Sequence, residues 1–369
     1  MWGGTIACFD FEGKELWKDK WTPFGRHHAR AHEPILHESR VIVTYVPKHD
    51  LPVSATTKAG AKPLGRGKEF WNFLRAYDLK TGELIWQAEA GTSVHSTSMI
   101  GQLPNEKLAI LSGRGGGHQP PEEPYGLSMI DFSNGKSIWD ASIKGYAAAQ
   151  NASWKKNRVH FFVGETHQSL SSMTGKMKKE TSIFEKVTIT KWNGKDYETK
   201  YNQIFKKSKK IITYFTNILI GDYHYFRSFE GFMIGRVNLK DGKVEYLEVP
   251  AQVVRQKEKS EAKLWGKTIP NDMKNADGFK ATMDKRNAGS GWGHVSSAPP
   301  IVVGDRIYFP TMVGIVYVLN WNAPVLDENA LISVSDVGKA GETWTLSGLA
   351  YANGALYART MKELICFGN

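Results

Sequence analysis

The sequence predicts an all-β fold, a β-propeller made of four-stranded antiparallel blades. Three observations predict it: a hairpin motif that recurs along the chain, a second motif at constant spacing ahead of it, and apolar runs no longer than a strand. Recurrence of this kind is typical of arrays, in which each unit buries its apolar face against the next.

The first motif is a D-x3-G-x3-W frame, which describes a β-hairpin. Asp or Asn begins the turn, Gly supplies a positive φ, and the following strand carries an aromatic residue that can pack between neighbouring sheets. The frame occurs twice in full, once softened and once shortened by a residue: Asp78–Trp86, Asp131–Trp139, Asn238–Tyr246 and Asp10–Trp17. We therefore interpret these tryptophans as packing residues.

The second motif is a histidine or tyrosine that stands twelve residues before an apolar strand. Its members are His28, His95, Tyr146 and His294, which precede strands beginning at Arg40, Lys107, Arg158 and Arg306. This spacing adds two strands ahead of each hairpin, so that each repeat has the four strands of one propeller blade.

The repeats predict complete blades at residues 29–90, 95–143, 147–205, 210–249 and 294–336. Residues 345–368 provide three strands of another blade, and residues 4–18 provide outer strands only. We expect about seven blades, with six to eight possible, in a single domain over residues 1–369. A chain that is incomplete at its amino terminus is the preferred interpretation; a ring closed by strands from both ends is the alternative.

One segment, residues 250–293, interrupts the repeat spacing. It is rich in Lys, Glu, Asn, Asp and Gly and contains few apolar residues. We interpret it as an insertion at the rim, where propellers place specificity, with a short helix near residues 257–264. A surface loop without such a role is the alternative.

The segment Ala76–Trp86 fits the tryptophan-docking motif A-x-D-x-x-T-G-x-x-x-W, and His294–Tyr308 resembles the inner-strand pair of the same family. The chain thus resembles the pyrroloquinoline-quinone (PQQ)-like repeat family of the quinoprotein alcohol dehydrogenase-like superfamily. The resemblance implies the propeller fold for nearly the whole chain. It implies much less about activity, because function belongs to sites and not to folds.

Enzymes of that family use PQQ with a calcium ion, a catalytic Asp and often two vicinal cysteines. This chain has only Cys8 and Cys366, and no Glu, Asn and Asp set can be carried over by motif. PQQ with calcium is therefore unsupported by motif, and no cofactor is predicted. The non-enzymatic relatives, which include periplasmic scaffold lipoproteins, fit better, and they imply a periplasmic or extracellular location. No signal peptide is visible at the amino terminus.

Alignment of the repeats predicts a binding site at the mouth of the central channel. The four residues of the second motif should face it, and the loops after the second strands should add others: His49, His167, Arg114 and Arg227. Clustered imidazoles can bind a metal, or they can bind a sugar or an anion with the nearby arginines. The preferred interpretation of the histidines is structural: each hydrogen-bonds the loop that enters its blade.

The net charge of +11 indicates either a solvated basic surface or an anionic partner. We expect an unidentified protein or an anionic glycan as partner, without a strong nucleic-acid signal. No apolar run approaches the roughly 20 residues that span a bilayer, and a monomer is expected.

The leading functional hypothesis is a non-catalytic binding or scaffold module whose partner binds the channel-mouth face. A quinone- or metal-dependent oxidoreductase is the first alternative. A carbohydrate-active lyase or hydrolase is the second, with His95, Tyr146 and Arg227 as its candidate residues.

Overall fold

The structure is a computed structural model that describes most of the chain. The described residues are 4–21, 34–45, 71, 73–90, 98–114, 125–146, 152–205, 216–228, 231–255, 261–281, 292 and 298–367. The chain divides into two compact units, Met1–Glu180 and Thr181–Asn369. We describe each unit by itself.

The first unit consists of a hairpin and three four-stranded antiparallel sheets, each with its strands in chain order. The hairpin is β1 (Thr5–Phe9) and β2 (Glu15–Lys20). The first sheet is β3 (Ile35–His37), β4 (Arg40–Tyr45), β5 (Phe73–Asp78) and β6 (Leu84–Ala88). The second is β7 (Met99–Gln102), β8 (Leu108–Arg114), β9 (Gly126–Asp131) and β10 (Ser137–Ser142). The third is β11 (Ala152–Lys155), β12 (Arg158–Val163), β13 (Thr166–Ser171) and β14 (Met177–Ser182).

The tryptophan of each hairpin motif packs on the glycine turn of the next sheet. Trp86 donates its indole N–H to the carbonyl of Phe132 at 3.0 Å, and its ring covers Gly135. Two further joints repeat this contact: Trp17 on Leu79 and Gly82, and Trp139 on Ser172 and Gly175. The predicted packing role of the tryptophans is confirmed, because each joins one blade to its neighbour.

The aspartate of the motif holds the turn. One Asp78 carboxylate oxygen accepts the backbone N–H groups of Lys80 and Thr81, both at 2.8 Å, while the Gly82 N–H donates to the Asp78 carbonyl. The hydrogen bonds from Thr81 and Lys80 lower the pKa of Asp78. The carboxylate therefore stays charged at neutral pH and closes a turn.

The third sheet ends earlier than the sequence predicts. Its last turn runs from Ser171 to Gly175, where the Gly175 N–H donates to the Ser171 carbonyl at 2.9 Å. This turn is another copy of the hairpin frame, with Ser in place of Asp and Lys179 in place of Trp, which is why the sequence does not reveal it. The predicted blade 147–205 is thus wrong at its carboxyl end. Ser169 and Ser171 belong to β13.

The second unit begins with a six-stranded sheet of order β16-β15-β20-β19-β18-β17. Its strands are β15 (Val187–Trp192), β16 (Tyr197–Gln203), β17 (Asn217–Ile220), β18 (Tyr223–Arg227), β19 (Met233–Asn238) and β20 (Val244–Glu248). The last four form the predicted blade 210–249. The hairpin β15–β16 extends this blade, because β15 pairs in parallel with β20.

The rest of the second unit contains a hairpin and two more antiparallel sheets. The hairpin is β21 (Gln252–Arg255) and β22 (Glu261–Leu264). The sheets are β23 (Ile301–Val303), β24 (Arg306–Pro310), β25 (Ile315–Asn320) and β26 (Leu331–Asp336), then β27 (Ala350–Ala352), β28 (Ala355–Arg359) and β29 (Leu364–Phe367). A 3-10 helix, Glu328–Ala330, precedes β26. Within the described ranges there is no helix with the length and hydropathy needed to cross a membrane.

These elements confirm the all-β class and the four-stranded antiparallel blades, and they correct two details. The helix expected near residues 257–264 is wrong at residues 261–264, which form β22, because pairing with β21 satisfies their backbone groups. As a small apolar residue at a repeat position, Cys366 would be expected to be buried; it is exposed, because β29 lies at the edge of its sheet. Cys8 is half-buried.

A buried arginine ties two sheets of the second unit together. Arg236 on β19 donates from Nε to Glu245 at 2.7 Å and from Nη1 to the Tyr225 hydroxyl at 3.0 Å. The same guanidinium donates to the carbonyls of Ala323 and Pro324, in the turn that follows β25. Its planar fork thus joins neighbouring blades through hydrogen bonds that a tryptophan joint does not supply.

The tryptophan joints predict a specific response to adding one methyl group. Gly135→Ala should lower the free energy of unfolding by about 2–4 kcal/mol, because the new Cβ would clash with the ring and φ is positive. That Cβ would lie 2.7 Å from Cε3 of Trp86. Gly13→Ala is the matched control: its φ of 86° is also positive, but no described atom lies within 4 Å of the new Cβ. It should cost only about 1–2 kcal/mol. Denaturant unfolding measures both, and equal losses would contradict the joint.

Candidate functional site

The structure describes half of the predicted site. His28, His49, His95 and His294 lie outside the described residues, so their role stays a prediction. Tyr146, Arg114 and His167 are described in the first unit, and Arg227 is described in the second.

Arg114 is the last residue of β8 and is buried within its own sheet. It was predicted in a glycine-rich loop, but Gly113 and Arg114 both belong to the strand. Its Nη2 donates to Asp140 at 2.7 Å and its Nε donates to the Ser128 hydroxyl at 2.9 Å, while that hydroxyl donates to the same carboxylate. The charge is thus neutralised across β8, β9 and β10, which is a structural arrangement.

His167 lies in β13, so its predicted place in the loop before that strand was wrong. The strand begins at Thr166. Side chains alternate between the two faces of the sheet along the strand, and the imidazole of His167 lies on a face where it is buried. The ring stacks on His160 with centroids 5.5 Å apart and meets the edge of Phe162 at 5.0 Å. Burial lowers the pKa of His167 to about 3, and burial, helped by the charge of Arg158, lowers the pKa of His160 to about 4. Both imidazoles are therefore neutral at pH 7.

Tyr146 is buried in the apolar core of the first unit. Its ring belongs to the cluster that contains Ile143, Val159, Phe161 and Val163. This repeat position, which precedes the innermost strand β11, is thus used here for packing in the apolar core.

Arg227 differs from the other three described candidates. It is the last residue of β18 and only 1% exposed. Its Nη1 donates to the Pro310 carbonyl at 3.0 Å, and its guanidinium carbon lies 5.1 Å from the ring centroid of Trp292, a residue of the 250–293 insertion. Burial lowers the pKa of Arg227 to about 10. Its Nη2 has no hydrogen-bond partner among the described residues.

A metal site is not visible in the described part of the chain. There, no three or more His, Cys, Asp or Glu side chains come together as a metal would require. Because four of the predicted histidines lie outside these ranges, metal binding by them stays a prediction.

Sequence reasoning missed a cavity of about 770 Å³ in the second unit. It lies where the hairpin β15–β16 meets β19 and β20. Its walls combine aromatic rings, two carboxylates, two lysines and two amides: Trp192, Phe205, Phe232, Glu198, Glu248, Lys191, Lys200, Asn193 and Gln203. The parallel pairing of β15 with β20 creates this site, and no local sequence motif reports such a long-range pairing.

Comparison with known proteins gives one significant curated relative. No family model matches the chain. A stretch of 128 residues is 26% identical to quinoprotein glucose dehydrogenase A of Acinetobacter calcoaceticus. The match covers 32% of this chain and 16% of that protein, so it spans about a sixth of the relative's length.

Several solved structures are similar at low sequence identity. BamB from Moraxella catarrhalis is 12% identical with a TM-score of 0.42, over 98% of this chain and 90% of that one. The designed protein Ika8 has a TM-score of 0.46 at 10% identity, over 97% and 75% of the two chains. A europium-containing methanol dehydrogenase has a TM-score of 0.39 at 14% identity, over 96% and 69%. The fold assignment itself depends on the blade sheets and the docking tryptophans.

The stacked histidines predict a loss of stability in acid. Their pKa values in the folded protein lie below the unfolded value of about 6.5. Below pH 6.5 the unfolded chain therefore binds more protons than the folded protein. Stability is therefore full above pH 6.5 and falls as the pH approaches 4, by up to about 1.4 kcal/mol per pH unit for each imidazole.

His167→Gln should flatten this pH dependence of the melting temperature. His37→Gln is the control, since it removes a more exposed imidazole from β3. The explanation fails if the wild-type protein and His167→Gln lose stability in parallel between about pH 7 and pH 4.

Proposed function

We propose that this chain, a member of the PQQ-like β-propeller superfamily, is a non-catalytic binding or scaffold module that engages its partner on the face of the repeat histidines. The observation that carries the proposal is how the described candidates are used. Arg114, His167 and Tyr146 are engaged in contacts inside their blades, whereas Nη2 of Arg227 has no hydrogen-bond partner in the part of the chain that the structure describes.

The contacts of the first three residues support a structural role. A general acid or base needs access to substrate and a pKa near the working pH. His167 is buried with a pKa of about 3, and Arg114 is held by Asp140 and Ser128. Neither arrangement favours proton transfer. Both are typical of residues that a repeat copies in order to hold its strands together.

Arg227 supports binding of an anionic group. Leaving a buried donor unsatisfied costs about 1–3 kcal/mol, and a carboxylate that reaches Nη2 would recover this energy. The net charge of +11 favours an anionic partner at long range. Because Arg227 is 1% exposed, the group that reaches it must be small and neighbouring side chains must move. A uronate or the side chain of an acidic protein segment meets this requirement, and a periplasmic or extracellular location is part of the proposal.

One observation favours the oxidoreductase alternative: the relative with 26% identity is a quinoprotein dehydrogenase. The carboxylates of PQQ would suit Nη2 of Arg227, which has no partner within the described ranges. The described ranges, however, bring together no donor set for the calcium ion that accompanies this quinone in the family. We therefore derive no step through a quinone–calcium centre.

Native mass spectrometry with added PQQ and Ca²⁺ separates the two functions. We expect no stoichiometric adduct and no quinone-dependent oxidation of sugars or alcohols. A stoichiometric adduct that disappears in His95→Ala and His294→Ala would overturn the binding-module proposal and identify the repeat histidines as part of an active site.

Isothermal titration with trigalacturonate tests the anion site. Arg227→Gln should weaken binding about 10-fold or more, and it should cost little stability because none of the described carboxylates pairs with the buried guanidinium. Arg306→Gln is the matched control: it removes the same charge from an exposed residue paired with Asp305. Equal weakening by both variants would show that only the net charge matters, and absence of binding would refute the anion site.

A further inference from the structure

We propose that the cavity between the hairpin β15–β16 and the strands β19 and β20 is a binding site for a neutral oligosaccharide. Neither Arg227 nor any described candidate of the predicted site lines this cavity, and the inference does not depend on the function proposed above. The following features of the cavity argue for this ligand class.

The floor of the cavity is one face of a continuous sheet. Lys191 on β15 pairs with Glu198 on β16. The parallel ladder ends with Thr190 opposite Leu247, and its continuation by one residue brings Lys191 towards Glu248 on β20, which pairs with Met233 on β19. Because paired residues share a face, the charged side chains form a row of alternating sign across three strands. This row exists only because the hairpin extends the blade.

The charges of the cavity cancel. Nζ of Lys200 lies 3.2 Å from Oε2 of Glu198, and the charge of Lys191 acts on Glu248 by lowering its pKa in part. With two lysines and two glutamates among its lining residues, the cavity has no net preference for an anion or a cation. A neutral ligand that hydrogen-bonds to both kinds of group fits best.

Trp192 forms a rigid aromatic wall. Its ring stacks on Trp265 with centroids 5.0 Å apart and an interplanar angle of 8°, while Tyr197 meets it edge-on at 5.5 Å. Tyr197 is fixed in turn, since its hydroxyl donates to the Glu248 carbonyl at 3.0 Å. Trp192 is also one of the residues that line the cavity. A preorganised ring of this kind suits the flat apolar face of a sugar.

Glu248 supplies a fixed acceptor beside that ring. Its Oε2 accepts the backbone N–H of Trp192 at 3.1 Å, which is the carboxylate's one hydrogen bond within the described ranges. Burial raises the pKa of Glu248, although the Trp192 N–H and Lys191 lower it in part. The second carboxylate oxygen can therefore accept a ligand hydroxyl next to the indole.

The remaining polar groups match a polyol. A hydroxyl both donates and accepts, and the amides of Asn193 and Gln203 do the same, while the lysines donate and the carboxylates accept. A volume of about 770 Å³ is in the upper part of the usual range for small-ligand sites, which indicates several sugar units. An extended peptide would instead be expected at the outer edge of β16, the outermost strand of this sheet among the described residues.

One wall of the cavity is held in a rare backbone conformation. Phe232 has a φ of 51°, which is uncommon for a bulky residue, and its ring packs against Trp292 at 5.2 Å. On the other side, Phe205 stacks on Tyr246 with centroids 4.5 Å apart. Both aromatic walls are thus fixed by neighbours before any ligand arrives, which limits the entropy lost on binding.

Isothermal titration with cellopentaose, maltopentaose, xylopentaose and chitopentaose tests the proposal. At least one should bind with a Kd between about 10 μM and 1 mM. Trp192→Ala should weaken it about 10-fold or more, and Glu248→Gln, which keeps the shape of the side chain, about 5-fold or more. Tyr201→Ala is the matched control, because Tyr201 is an exposed aromatic residue of β16 that does not line the cavity; it should change Kd less than about 2-fold.

Several outcomes would overturn the proposal. They are absence of binding by all four sugars at about 10 mM, binding that Trp192→Ala and Glu248→Gln leave unchanged, or binding that Tyr201→Ala weakens equally. Tighter binding of trigalacturonate, or of a cationic peptide, that is lost in Trp192→Ala would also overturn it, since the site would then select charge. Circular dichroism and unfolding midpoints establish whether each variant is folded. If Trp192→Ala does not fold, Glu248→Gln still tests the site.

Discussion

The packing of an indole on a glycine turn is the interaction on which the first unit depends. A four-stranded sheet cannot bury both faces by itself, so each blade needs a defined contact with the next. Trp86 illustrates how that contact is defined: the ring requires a turn without a Cβ at Gly135, and the indole N–H requires the carbonyl of Phe132. Position and orientation are both set, because one requirement is steric and the other is directional.

The second unit combines a similar contact, the ring of Trp321 over Gly221, with different chemistry. There the joint between two sheets is also made by Arg236, which hydrogen-bonds Glu245 and Tyr225 within its blade and two carbonyls in the next. A buried cation tolerates this environment because its donors are satisfied and a carboxylate neutralises it. Arg227 shows the contrast, since its charge is buried with Nη2 unsatisfied among the described residues. Arg114, by contrast, donates to Asp140 and Ser128, and these contacts support a structural role for it.

The sequence predicts the parts of the fold that local turn chemistry determines. The frames at Asp78 and Asp131 report their hairpins, because a turn needs a particular acceptor and a particular glycine. The copy at Ser171 was not predicted, because serine and lysine stand where the motif has aspartate and tryptophan, although the backbone turn is the same. His167 was predicted in a loop because the sequence does not fix where β13 begins. A difference of one residue in that start decides whether the imidazole belongs to the loop or to the strand. The cavity beside Trp192 was not predictable, because it requires a pairing between strands far apart in the chain.

That distant pairing has a consequence for the order in which the chain can fold. Thr188 on β15 pairs with Glu245 on β20, and the three strands between β16 and β20 must form their own ladder before the parallel register exists. During synthesis, the hairpin β15–β16 leaves the ribosome long before its partner and carries an unpaired strand edge until β20 arrives. Contacts of such sequence separation form slowly, because chain closure is entropically unfavourable until other contacts shorten the loop. The blade that carries the cavity is therefore expected to be completed late, and its waiting hairpin is a natural point for a chaperone to act.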